Sequence, residues 1–185
     1  MKKIISVLFA ICLCMAASAQ QHMKFMGIPL DGSIDNFTLK LKAKGVTYDE
    51  AESKSADAGT RIFHGKFMGE KAKFVVFYNS KSKIVFSAAV ELNYPTVESA
   101  HTPFVNLNEQ LQQKYPDATC KEYTGPDGDV DGLAIEIFDE AGENMIGFIL
   151  QTLKAPSSGY GISIYLTYTD SDNFMKSEKI LGEDL

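Results

Sequence analysis

The sharpest chemical pattern in the chain is Asp127-Gly128-Asp129-Val130-Asp131-Gly132. Carboxylates at alternate positions followed by glycine reproduce the first half of a calcium loop. Oxygens at positions 1, 3 and 5 face one centre, and glycine at position 6 permits the sharp turn. Position 12 breaks the pattern: it is Phe138 where a bidentate Glu belongs, with Glu136 two residues before it and Asp139 one after. The flanks also read as strands where a calcium hand has helices. An acidic hairpin loop, with turns at Pro126-Asp127-Gly128 and Asp131-Gly132, is the preferred reading. Calcium held by Asp127, Asp129 and Asp131 is the alternative, and no other cofactor is expected.

The remaining reactive residue types give weaker patterns. His22, His64 and His101 have no second histidine at ligand spacing, whereas a zinc site takes three or four ligands. Each reads as a solitary surface or packing residue: His22 near the N-terminus, His64 on a strand, His101 just before a helix. Cys120 could act as a nucleophile only with a lowered pKa and an oriented base, and nothing local proposes either. It reads as a small buried residue at the start of a strand. No serine sits in a Gly-x-Ser-x-Gly elbow, and the glycines form no phosphate loop ahead of a helix. A hydrolase using Cys120 or a carboxylate pair is therefore the least favoured reading, and no catalytic residue is assigned. The aromatic residues suggest contact instead. Tyr78, Tyr160, Tyr165 and Tyr168 lie in strand-like runs, and tyrosines on an open sheet face would give a protein-binding surface at low entropy cost.

Positioning these groups falls to a repeated set of elements. Ser33 reads as a helix N-cap, Ile34, Phe37 and Leu41 follow at i, i+3 and i+7, and Gly45 stands where a C-terminal glycine belongs. Runs at Thr60–Phe67, Ala72–Tyr78 and Ile84–Leu92, divided by short turns, predict antiparallel hairpins. Thr102-Pro103 then predicts the start of a second helix, with Phe104, Leu107 and Leu111 on one face and Pro116 closing it. Strand-like runs follow at Thr119–Tyr123, Leu133–Phe138, Met145–Leu153 and Gly161–Tyr168. Sliding the chain by about 70 residues lays helix on helix and strand on strand, the mark of an internal repeat. Asn36 meets Asn106, Leu41 meets Leu111 and Lys44 meets Lys114. The predicted fold is α+β: two tandem units, residues 20–95 and 96–170, each a helix with three or four antiparallel strands, helices packed on one face of the sheet. Residues 171–185 form a polar tail that either adds a short helix, with Ser171 as its cap, or hangs free.

The N-terminus bears on location. Met1-Lys2-Lys3, an apolar run from Ile4 to Ala17 and the triplet Ala17-Ser18-Ala19 follow the plan of a signal peptide cleaved after Ala19. Ile11 and Leu13 precede Cys12 and Cys14, where a lipid-modification box wants a small residue, so lipoprotein anchoring is the less favoured reading. No later run is long and apolar enough to span a bilayer. Cleavage would remove Lys2 and Lys3, taking the formal charge from −6 to −8 and leaving Cys120 as the single cysteine. An acidic surface argues against nucleic acid as a partner. A periplasmic or secreted protein is expected, with its stability coming from an ordinary core rich in Phe and Tyr.

Two resemblances extend this reading. The stretch Phe25-Met-Gly-Ile-Pro-Leu-Asp-Gly-Ser-Ile-Asp-Asn-Phe37, the helix Leu39–Gly45, the ending Leu166-Thr-Tyr-Thr-Asp170 and the acidic Glu183-Asp184-Leu185 terminus resemble a group of short secreted proteins of gut-dwelling Gram-negative bacteria. That group brings no catalytic residue to carry over. The duplicated helix-and-sheet plan is similar to that of β-lactamase inhibitor protein and of small outer-membrane assembly lipoproteins, which implies a sheet that grips a partner protein. This chain departs from the inhibitor in lacking its disulfides and its tryptophan-rich surface. The expectation is thus a non-enzymatic binding protein, inhibitor- or adaptor-like, for another envelope or extracellular protein. A calcium- or small-ligand-binding module at residues 127–132 is the alternative.

Overall fold

The computed structural model describes residues 22–114, 116, 119–124, 130–138, 144–155 and 159–182, with backbone alone between 117 and 161 and beyond 179. The expected signal segment 1–19, the terminus 183–185, Asp127 and Asp129 lie outside the described residues.

The first described elements are a small hairpin, β1 (Lys24–Phe25) and β2 (Ile28–Pro29), turned by Met26 and Gly27 at φ of 51° and 75°. Two consecutive residues at positive φ make a turn whose twist suits paired strands. Helix α1 (Ile34–Ala43) follows, with the Ser33 hydroxyl accepting from the Asn36 N–H. It ends as its sequence requires: Gly45 takes φ of 81°, its N–H bonds the Lys42 carbonyl, and the Val46 N–H bonds that of Leu41. This paired closure caps the last carbonyls and carries Val46 into the core beside Leu41.

Next come a three-residue strand, β3 (Thr47–Asp49), and a short helix, α2 (Glu50–Ser55), neither of which the periodicity predicts. Strands β4 (Thr60–Phe67), β5 (Glu70–Tyr78) and β6 (Val85–Tyr94) then run as hairpins, β4 and β5 being joined through Met68 and Gly69 at φ of 51° and 87°. Helix α3 (Val97–Lys114) starts earlier than the predicted Thr102-Pro103. Its cap is Thr96, whose Oγ1 accepts from the Ser99 N–H while the Ser99 hydroxyl accepts from the Thr96 N–H, each at 3.2 Å. That reciprocal cap, and the burial of Ala100, offset the intrahelical bond that Pro103 cannot donate.

The second half continues with β7 (Thr119–Thr124), β8 (Val130–Phe138), β9 (Asn144–Ala155) and β10 (Gly159–Asp170), and closes with helix α4 (Ser171–Gly182). The expected tail is thus helical through Gly182. Its cap is Asp170, whose Oδ1 accepts from the Asn173 N–H at 3.0 Å, and not Ser171. Asp170 ends a buried strand and is held in place, which suits it for that role.

The fold is α+β with antiparallel sheet throughout, as predicted. Strands β3 to β10 form one eight-stranded sheet in the order β3-β4-β5-β6-β10-β9-β8-β7. Each half reads as a helix and then four strands, with α2 inserted in the first. The halves meet where β6 pairs β10, from Ile162↔Tyr94 to Thr169↔Ser87. Helices α1 and α3 cover one face. Ile34, Phe37 and Leu41 from α1, with Phe104, Leu107 and Leu111 from α3, pack on Phe63, Phe74, Val76, Val90, Leu92, Ile164 and Leu166. Among the described residues no helix is long and apolar enough to cross a membrane.

Candidate functional site

Strand alternation sorts the side chains of the central strands onto two faces. One set points into the helix-covered core. The other set includes Ile62 and His64 on β4, Lys73, Val75 and Phe77 on β5, Ser87, Ala89 and Glu91 on β6, and Ser163, Tyr165, Thr167 and Thr169 on β10, of which Ser163 and Ala89 are fully buried. Pairing aligns these in rows across the strands. His64, Lys73, Glu91 and Tyr165 make one row, and Ile62, Val75, Ala89 and Thr167 the next. Ile62, Val75 and Ala89 form a small apolar cluster separate from the main core, with Phe77, Tyr165 and Ala56 packed against it half-buried. Neither α1 nor α3 contributes to it. Burial pushes the Tyr165 phenol above its ordinary pKa, and the Glu91 carboxylate across the strand pair adds to the shift. The phenol is therefore neutral and able to donate a hydrogen bond.

One margin of this face is built by the corner between β3 and α2. Asp49 ends β3 and caps α2, its Oδ1 accepting from the Glu52 N–H at 2.8 Å. One turn on, the Ser53 hydroxyl accepts from the Ile62 N–H at 2.8 Å and so ties the helix to β4. This places Glu52 over the polar row. Its Oε1 lies 3.1 Å from His64 Nε2 and its Oε2 2.9 Å from Lys73 Nζ, while Asp49 Oδ2 is 3.5 Å from the same His64 nitrogen. The hydrogen bond from Lys73 holds the Glu52 carboxyl below its ordinary pKa, against the opposing effect of burial; the nearby charges of Lys73 and His64 add to the lowering. Among the described residues, Asp49, Glu52 and His64 bring three potential metal-binding atoms within 4.8 Å of one another.

The predicted contact tyrosines do not share a face. Tyr165 lies on the side away from the main core. Tyr78 and Tyr168 pack against that core instead: Tyr168 meets Phe25 edge-on at 5.5 Å, and Tyr78 lies under the Arg61 guanidinium at 5.8 Å. Arg61 is itself held on α1 by Asp35 at 2.8 Å and by the Thr38 hydroxyl at 3.0 Å. Tyr160 sits on β10 opposite Lys154, an even number of residues from Tyr168. Of the acidic loop, Asp131 is on β8, beside a register shift where Tyr123 pairs Gly132 and Thr124 pairs Val130. Cys120 is on β7 opposite Ile135.

Two of the three histidines prove to have carboxylate partners. His64 has Asp49 and Glu52, as above. His22 Nδ1 lies 2.8 Å from the Oδ2 of buried Asp170, which also accepts from the Met23 N–H. His101 is exposed and falls within α3, because that helix starts ahead of its expected position. Sequence reasoning missed Asp49 and Glu52 because β3 is too short to show a period. The one available signal was Asp49-x-x-Glu52, an acidic cap with an acid three residues on.

No known protein family matches the chain, nor does any curated protein or solved structure.

Proposed function

We propose that this chain is an exported, non-enzymatic binding protein that holds another protein on the sheet face opposite α1 and α3. The observation that carries the reading is the composition of that face. Phe77 and Tyr165 stand half-buried on a small apolar cluster, edged by Lys73, Glu91 and Thr167. An aromatic centre with a polar rim is the anatomy of a protein interface, and tyrosine is over-represented among residues that dominate binding. Export rests on the signal pattern ending at Ala19.

Affinity capture tests this. The chain from Gln20 to Leu185 is used as bait on envelope and culture-fluid extracts, beside two variants. The Phe77→Ser/Tyr165→Ser double variant changes the proposed face, and Leu39→Ser changes an exposed residue of α1. A partner enriched by the unaltered chain and by Leu39→Ser, but lost with the double variant, is expected. A partner retained by the double variant would place binding elsewhere. Turnover on a broad hydrolase panel, abolished by one point change, would end the non-enzymatic reading.

A further inference from the structure

We infer that Asp49, Glu52 and His64 form a binding site for a divalent transition cation of the zinc class. Three observations carry this. The first is distance. At metal–ligand lengths of about 2.0–2.2 Å, two ligands of a tetrahedral zinc lie roughly 3.3–3.6 Å apart. Of the His64 Nε2 separations, that from Asp49, 3.5 Å, falls inside that span and that from Glu52, 3.1 Å, just short of it, while the two carboxylate oxygens lie within 4.8 Å of each other. The second is donor chemistry. One imidazole with two carboxylates suits zinc and its neighbours, whereas calcium and magnesium prefer oxygen alone.

The third is that each carboxylate is already oriented by its other oxygen. Asp49 Oδ1 is engaged by the Glu52 N–H, leaving Oδ2 toward the centre. Glu52 Oε2 is engaged by Lys73, leaving Oε1. Such outer contacts fix ligands before a metal arrives. To donate to the carboxylates, the His64 ring carries its proton on Nε2; a metal at Nε2 requires the other tautomer, so on binding that proton is taken up at Nδ1 through solvent. The three side chains are each 31 to 44% exposed, so the fourth position opens to water or to an oxygen or nitrogen ligand from outside.

The site stands apart from the protein-binding proposal, since it needs no partner. Calorimetric titration of the purified chain, Gln20 to Leu185, with zinc, calcium and magnesium tests it. One equivalent of zinc is expected, with little heat from calcium or magnesium. His64→Ala and Glu52→Gln should each weaken zinc by more than the roughly 10–100-fold that loss of an outer partner costs. Both residues are exposed enough for the variants to fold, and unchanged circular dichroism checks this. Cobalt gives a second readout: a visible absorption band with the unaltered chain and none with His64→Ala. Absence of zinc binding, or equal binding in the His64→Ala variant, would leave these residues as an ion-pair cluster and overturn the inference.

Discussion

The two faces of the sheet are made by the same strands from different kinds of residue. On the face beneath α1 and α3, β5 and β6 present Phe74, Val76, Val90 and Leu92, all fully covered. On the other, the same two strands present Lys73, Val75, Phe77, Ala89 and Glu91. A strand with helices on one side must fill the space beneath them with large apolar groups, since interiors pack to crystal-like density. On the other side, among the described residues, Ala56, Phe77 and Tyr165 pack on the apolar centre. That side carries small residues under two aromatics, and charges that pair laterally. The largest buried side chains are therefore concentrated on one face, and the His64-Lys73-Glu91 row lies on the other.

The largest test of this contrast compares two phenylalanines on one strand. Phe74→Ala should cost about 3–5 kcal/mol of unfolding free energy, the usual range for a buried aromatic. Phe77→Ala, three residues along and half-buried, should cost only about 1–2 kcal/mol. Urea unfolding of both variants checks this, and equal losses would mean that both faces are core. Next in size is the helix layer. Ser33→Ala removes the α1 cap and should cost about 0.5–1 kcal/mol, seen as a lower denaturant midpoint with an unchanged slope.

The smallest effect belongs to the polar margin. Glu52 has a pKa below its unfolded value, so its contribution is present above the ordinary carboxylate range and is lost as pH falls through the lowered value. Glu52→Gln should therefore lower Tm at neutral pH, within the ~0.2–1 kcal/mol typical of exposed ion pairs. The gap to the unaltered chain should close in acid. A gap that persists at low pH would show that Glu52 acts by packing and not by charge.

Much of the fold can be read residue by residue. Ile34, Phe37 and Leu41 mark the buried stripe of α1. Phe104, Leu107 and Leu111 mark that of α3, although Thr96 and not Thr102 opens the helix. The hairpin runs from Thr60 to Leu92 appear where alternation and turn residues place them. The tyrosines carry a further lesson. Tyr160 and Tyr168 are an even number of residues apart and Tyr165 is odd with respect to both, so in one unbroken strand they cannot all face the same way. That constraint was in the sequence. Which parity faces the helices was not.

The sequence by itself determined the local elements, because caps, turns and periods act between neighbouring residues. Ser33, Gly45 and the Met68-Gly69 turn are of this kind. Tertiary structure alone decided the candidate sites. Lys73, Glu91 and Tyr165 become neighbours only when β10 pairs with β6, and Glu52 reaches His64 only because α2 is tied to β4 through Ser53. Those contacts depend on strand order and register, which are set by how the whole chain buries its apolar surface and not by any short stretch of residues.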